Sequence, residues 1–101
     1  MEGVAPQQIS FEGRVSVGNS NAMRSKLGAA LKVKPRELSV DLSRVTSIDI
    51  SGLATLVEAS RIARSQGTRL AITGIHGQVQ LLFEISRLDQ ILDTAVEQQS
   101  A

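Results

Sequence analysis

Apolar and polar residues alternate along the first part of the chain, and this alternation predicts a β-strand. In the stretch QQISFEGRVSV, Ile9 and Phe11 are separated by one polar residue, and the alternation resumes at Val15 and Val17. Gly13 lies between the two halves, and a glycine inside a strand indicates a kink or a turn. We therefore predict a first strand that is bent at Gly13.

Two further apolar segments also predict strands. The stretch ELSVDL alternates strictly, which indicates a short strand that ends at Asp41 or Leu42. The stretch TRLAITG is a continuous apolar run with β-branched members, typical of a buried strand. A last short strand is predicted at Gln90 to Leu92.

Helical spacing of apolar residues predicts three helices between these strands. The first begins after Asn and Ser capping candidates, has a weak point at Gly28 and ends before Pro35. The second ends at Gly67, the usual residue type after a helix. Its stripe assigns Leu53, Leu56, Val57 and Ala63 to the core side and Thr55, Glu58 and Arg61 to the exposed side. The third carries a stripe of Val79, Leu82 and Phe83.

The order of strands and helices predicts an α/β fold, with a mixed β-sheet of about four strands covered by helices. A chain of 101 residues is long enough for one core, so we expect a single domain over residues 1–101 with its core at about 9–92. The apolar stripes predict these core residues: Leu27, Leu31, Val40, Leu53, Leu56, Val57, Leu70, Ile72 and Phe83.

Composition excludes several classes of function. The net charge is +1 with both signs mixed along the chain, and there are two Phe and no Trp or Tyr, so nucleic-acid binding is not expected. No window is long and apolar enough for membrane insertion, and no secretory signal is evident, so we expect a cytoplasmic protein. With no Cys and one His, in the loop GIHG, no metal, no cofactor and no hydrolase triad is expected.

The loop before the second helix is the candidate site. Asp41, Asp49, Ser51 and Gly52 are expected on one strand-to-helix loop, at the edge of the sheet where α/β proteins place their chemistry. A helix start offers free N–H groups and a partial positive charge, which suit a phosphate on Ser51. Gly52, lacking a side chain, would let a kinase approach. Either Asp49 or Ser51 could instead serve as the N-cap, and the two roles are compatible.

These residues resemble the STAS family, named for sulphate transporters and anti-sigma factor antagonists. The resemblance is strongest over VDLSRVTSIDISGLATL and ARSQGTRLAITG. It implies a STAS-like fold and a regulatory protein rather than an enzyme, in which Ser51 is phosphorylated by a kinase of the anti-sigma factor type and restored by a phosphatase. The chain departs from the family at Ile50, the position at which many antagonists have a second Ser or Thr.

The resemblance also implies a surface for a partner protein on the loop and the exposed side of the second helix. This surface comprises Ser47, Asp49, Ile50, Ser51, Gly52, Thr55, Glu58 and Arg61, with Asp41 supporting the loop.

A second resemblance leads to a different partner. The segments DLSRV and GLA resemble the STAS subunit of bacterial phospholipid-transport ABC complexes, which binds the transporter ATPase. That subunit often has Gly at the position of Ser51, so Ser51 favours the antagonist interpretation. A sensor of nucleotides or small anions is a third interpretation.

Overall fold

A computed structural model describes residues 5–88 and 92–96 of the chain. Strands and helices alternate along it. The elements are β1 Gln7–Val15, α1 Ser20–Lys32, β2 Glu37–Ile48, α2 Ile50–Gln66, β3 Arg69–Ile75, α3 Gly77–Ile85 and β4 Asp93–Val96. This order is an α/β fold, as the sequence predicts.

The strands form one sheet in the order β1-β2-β3-β4, and every neighbouring pair is parallel. Within residues 5–88 and 92–96 the sheet is wholly parallel and not mixed as expected, because each strand is joined to its neighbour by a helical crossover, which returns the chain in the same direction. Three strands of at least seven residues form the body of the sheet, and the expected count of about four is reached only with the four-residue β4.

Helices α1 and α2 pack against each other, and the winding of the sheet explains why. Crossovers between parallel strands are almost always right-handed, so a sheet that grows in one direction carries its crossover helices on one face. Burial along β2 agrees with this arrangement: Leu38 and Val40 are fully buried, whereas Ser39 and Asp41 between them are half-buried. The core therefore lies between one face of the sheet and the helical layer.

Most of the predicted core is confirmed. Eight of the nine residues are buried, namely Leu27, Leu31, Val40, Leu53, Leu56, Leu70, Ile72 and Phe83. Val57 is the exception and is half-buried. On α2 the buried stripe instead includes Ala59, which touches the same core cluster as Leu56.

Strand β2 continues well beyond the predicted end at Asp41 or Leu42 and stops only at Ile48. Its pairing with β1 shifts twice, between Ser10 and Glu12 and again between Gly13 and Arg14, and each shift adds a residue to β2. The spacing of buried residues consequently changes from two to three along the strand. A prediction based on strict alternation of apolar residues therefore misses the second half of β2, after Leu42.

The other strand predictions have mixed outcomes. The bend at Gly13 is confirmed, since this residue has a φ of +77° beside a shift in register. Val17 follows β1 in a turn instead of continuing the strand. Of the strand predicted at Gln90 to Leu92, residues 90 and 91 lie outside the described part of the chain, and Leu92 is a buried residue just before β4.

Two glycines, one with free space around it and one in a tight contact, give a matched test of the structure. An added Cβ would meet no atom within 4 Å at Gly28, inside α1. We expect Gly28→Ala to raise the free energy of unfolding by about 1 kcal/mol, through better helix propensity. At Gly74, φ is +75° and a Cβ would lie 2.8 Å from the Ser43 nitrogen.

Gly74→Ala should therefore lower the free energy of unfolding by about 1–3 kcal/mol. Urea unfolding of both variants checks the pair. If the two substitutions stabilised the protein equally, the close contact between Gly74 and Ser43 would be contradicted.

Candidate functional site

Asp49 is the N-cap of α2, which decides between the two capping candidates. Its Oδ1 atom accepts hydrogen bonds from the backbone N–H groups of Ser51 at 2.9 Å and Gly52 at 3.2 Å. The same oxygen accepts a hydrogen bond from the Ser51 hydroxyl at 2.6 Å. Ser51 therefore lies within the first turn of the helix, and its hydroxyl is engaged by the capping carboxylate.

The second carboxylate oxygen of Asp49 faces the turn after β1. Oδ2 accepts a hydrogen bond from the Val17 N–H at 3.1 Å, and the Asp49 N–H donates to the Val15 carbonyl at 3.0 Å. The Ser51 hydroxyl, followed by the backbone N–H groups of Gly52, Val17 and Ser51, lowers the pKa of Asp49, although desolvation acts in the opposite direction. Asp49 is thus held as a carboxylate between two segments.

Gly52 is buried, so the expectation that it eases the approach of a kinase is wrong. A Cβ on this residue would lie 2.6 Å from Cγ1 of Ile48 and 2.9 Å from Cγ1 of Val15. The absence of a side chain is required by packing between the helix start and the ends of β1 and β2. Gly52 brings the first turn of α2 close to the sheet.

Several residues of the predicted partner surface are accessible to solvent. Ile50 is 70% exposed at the first position of α2, and Ser47 and Ser51 are half-buried. Glu58 and Arg61 are exposed further along the helix, and Glu58 forms an ion pair with Arg24 of α1 at 3.3 Å.

Thr55 does not belong to this surface, contrary to the sequence prediction. It is only 1% exposed, and its hydroxyl donates to the Ser51 carbonyl at 2.9 Å. That bond within the helix satisfies the hydroxyl, so a polar residue is accommodated on the buried side. Its side chain cannot contact a partner in this conformation.

Asp41 is also misplaced by the sequence prediction. It lies within β2 and is separated from Asp49 by the rest of the strand, so the two residues do not share a loop. Its Oδ1 atom accepts a hydrogen bond from the Ser43 N–H at 2.9 Å and lies against Gly74. Asp41 supports the contact between β2 and β3 rather than the Ser51 loop.

Gln78 is a residue of the site that sequence reasoning missed. Its side-chain amide accepts from the Ile48 N–H at 2.9 Å and donates to the Ile48 carbonyl at 3.1 Å. Beyond Asp41, β2 has no paired residue on β3, so Gln78 replaces the missing strand neighbour immediately before Asp49. A lone Gln near the start of a helix carries no sequence signal for such a role.

His76 is half-buried at the N-cap of α3, and its Nε2 atom lies 2.8 Å from the Ser43 carbonyl. Among residues 5–88 and 92–96, no group of three acidic, His or Cys side chains is arranged to hold a metal ion. Within the same ranges, no helix has the length and hydropathy needed to cross a membrane.

Comparison with known proteins identifies relatives of this chain. A family model described as "Mlab, STAS domain" matches residues 2–93. The anti-sigma-B factor antagonist of Bacillus subtilis (strain 168) is 26% identical over 90 residues, which cover 89% of this chain and 82% of that protein.

Solved structures share the fold at lower identity. An anti-sigma factor antagonist from Mycobacterium paratuberculosis superposes with a TM-score of 0.80 at 18% identity, over 87% of this chain and 74% of that one. The anti-sigma factor antagonist SpoIIAA in its unphosphorylated form has a TM-score of 0.68 at 13% identity, over 91% and 79% of the two chains. The strands and helices described above are therefore those of a STAS-like fold.

The hydrogen bonds at Asp49 predict a dependence of stability on pH. Because the folded-state pKa of Asp49 is lowered, its contribution to stability is present above the ordinary pKa of about 3.9 and is lost as the pH falls through the lowered value. Asp49→Asn should be less stable than the wild type at neutral pH, and the difference should shrink in acid. Urea unfolding of both proteins between about pH 7 and pH 3 measures it; a difference independent of pH would contradict the role of the charge.

Proposed function

The chain belongs to the Mlab, STAS domain family, and from this premise we propose that it is an anti-sigma factor antagonist-like regulatory protein switched by phosphorylation of Ser51. The observation that carries the proposal is the position of the Ser51 hydroxyl. It lies half-buried in the first turn of α2, between exposed Ile50 and the buried Gly52. The proposed partners are a serine kinase of the anti-sigma factor type and a phosphatase, in the cytoplasm.

The chemical step is the transfer of a phosphoryl group from ATP. A bond forms between Ser51 Oγ and the γ-phosphorus, the bond from that phosphorus to the oxygen of ADP breaks, and the hydroxyl proton passes to a base. The hydrogen bonds that lower the pKa of Asp49 make its carboxylate a weaker base, so we expect a group of the kinase to take the proton. The kinase must also separate the Ser51 hydroxyl from Asp49, to which it donates at 2.6 Å.

The first turn of α2 can accept the product. A phosphate at a helix start meets backbone N–H groups and the positive end of the helix dipole, so the fold is expected to survive modification. It also adds about 1.5–2 negative charges beside Asp49 at neutral pH. A partner packed on Ile50 and Ser51 would have to bury that charge, which weakens binding.

The topology of the sheet favours a protein partner over a small anion. In open α/β sheets, small ligands bind in the crevice where the strand order reverses. The order β1-β2-β3-β4 does not reverse within the described residues, so this edge of the sheet carries no such crevice. An exposed edge with an apolar side chain at Ile50 is more suited to a protein surface.

A second candidate function is binding to the ATPase of an ABC transporter without phosphorylation. The observation that favours it is again the bond between Ser51 and Asp49, because it gives the hydroxyl a structural role that needs no kinase. Exposed Ile50 would then be a constant apolar contact. The two candidates differ in whether Ser51 accepts phosphate.

Ser51→Ala is expected to abolish phosphorylation and retain partner binding. It removes one hydrogen bond to the Asp49 carboxylate and should cost about 1–2 kcal/mol of stability. The wild type and the variant are incubated with ATP and purified kinases of the anti-sigma factor type from the same genome, and the modified residue is found by mass spectrometry. Ser51→Asp should fold and bind the same kinase more weakly.

Ser43 and Ser47 are the internal controls for this experiment, since both lie on β2 before the site. Phosphate on either of them with Ser51 unmodified would exclude the proposed switch. Absence of phosphate with every kinase tested would promote the transporter candidate.

A substitution at Ile50 distinguishes an effect on partner binding from an effect on folding. Because its side chain is 70% exposed, Ile50→Ser should leave the free energy of unfolding nearly unchanged. It should weaken binding to the kinase or to the ATPase by about 1–2 kcal/mol, as expected for a central apolar contact. Val33→Ser, at an exposed apolar residue after α1, is the matched control, and titration calorimetry compares them. Equal affinities for the two variants would move the partner surface away from Ile50.

A further inference from the structure

The carboxylate of Asp49 joins two segments of the chain through different oxygens. Oδ1 accepts from the first turn of α2, including the Ser51 hydroxyl at 2.6 Å. Oδ2 accepts from the Val17 N–H at 3.1 Å, on the turn that connects β1 to α1. A rigid carboxylate cannot give up one of these sets of contacts without disturbing the other.

The turn at residues 16–19 has a well-defined internal structure. Asn19 closes it, because its Oδ1 atom accepts from the Ser16 N–H at 2.8 Å and its Nδ2 atom donates to the Arg14 carbonyl at 2.7 Å. The turn can therefore respond as a unit when its contact with Asp49 changes. Val17 lies at its tip with a side chain that is 78% exposed.

Phosphorylation would act directly on this carboxylate. Modification replaces the Ser51 O–H, which donates to Asp49, by a phosphate ester that has no proton to donate in its dianionic form. The shortest contact of Asp49 then becomes a repulsion between two anions. The phosphate also competes for the N–H groups of Ser51 and Gly52 that Asp49 now accepts from.

We propose that Asp49 transmits phosphorylation of Ser51 to the turn at residues 16–19, which forms a second, switched part of the partner surface. As Asp49 withdraws from the helix start, the Val17 N–H loses its acceptor and the turn is released. Val17 and Ile50 have the two largest exposed fractions among the large hydrophobic side chains of the described residues, and both adjoin this carboxylate. The partner is accordingly a protein with an apolar surface that spans both segments.

The proposal rests on Ser51 being the modified residue, but its test needs no kinase. Phosphoserine is introduced in place of Ser51 in the full chain by suppression of an amber codon, and amide hydrogen exchange is followed by NMR. Loss of a hydrogen bond to a carboxylate should accelerate exchange at Val17 by about tenfold. The core amides of Leu56 and Ala63 should remain protected, which shows that the fold persists.

Ser65 provides a matched control at the other end of the same helix. It is exposed, its hydroxyl donates to the Ile62 carbonyl, and phosphoserine there adds the same charge away from Asp49. Exchange at Val17 should not change in that protein. Equal exchange at Val17 in the unmodified chain and the chain phosphorylated at position 51 would overturn the proposal. That result would not decide whether a kinase modifies Ser51, which the kinase experiment tests separately.

Asp49→Asn tests the transmitting residue and covers the case in which the chain with phosphoserine at position 51 fails to fold. In the unmodified chain, Asp49→Asn should by itself accelerate exchange at Val17 with the core still protected. Adding phosphoserine at position 51 to this variant should have no further effect at Val17. No acceleration in the unmodified variant, or a further acceleration by phosphate in its background, would refute transmission through Asp49.

Discussion

The site depends on one carboxylate that collects four hydrogen bonds at the junction of three elements. Asp49 follows the last residue of β2, caps α2 and holds the turn that leads from β1 into α1. Only an ionised acidic side chain can accept so many donors at once, and the helix dipole favours that charge. Moving this residue would therefore displace the helix start, the Ser51 hydroxyl and the Val17 turn together.

Packing beneath Asp49 fixes the position of this residue. The Gln78 side-chain amide accepts from the Ile48 N–H and donates to the Ile48 carbonyl, and the Ile48 side chain fills the space that a Cβ of Gly52 would occupy. The main chain thus enters the loop at a fixed position, and the first turn of α2 lies directly on the sheet. A polar site at the protein surface acquires its geometry from contacts in the core.

The sequence predicts the elements well where a single periodicity persists, as in α1 and the apolar run of β3. It fails in β2, because the two register shifts change the spacing of buried residues and no alternation remains after Leu42. On α2 the buried side includes Ala59, a small residue that contributes little hydrophobic signal. The pattern therefore predicts Thr55 on the exposed side and Val57 in the core, whereas Thr55 is buried and Val57 is half-buried.

The candidate site is predictable only in part, for a related reason. Asp49 and Ser51 have residue types that indicate a cap, and their spacing allows either of them to be one. Asp49, the residue that caps the helix, also accepts from the backbone N–H of Val17, a residue more than thirty positions away. Main-chain donors are present at nearly every residue, so a sequence pattern cannot show where one is used.

The same main-chain donors explain how a modified Ser51 could remain compatible with the fold. The N–H groups of Ser51 and Gly52 need an acceptor in either state, and the unmodified chain supplies Asp49. A phosphate on Ser51 would bring its own oxygens to these donors and take over the capping role. The helix start would then exchange one anion for another instead of losing its cap, so the energetic effect would fall on the contact that only Asp49 can make. That contact is the one with Val17, which is why the proposed switch acts across the edge of the sheet and leaves the helix intact.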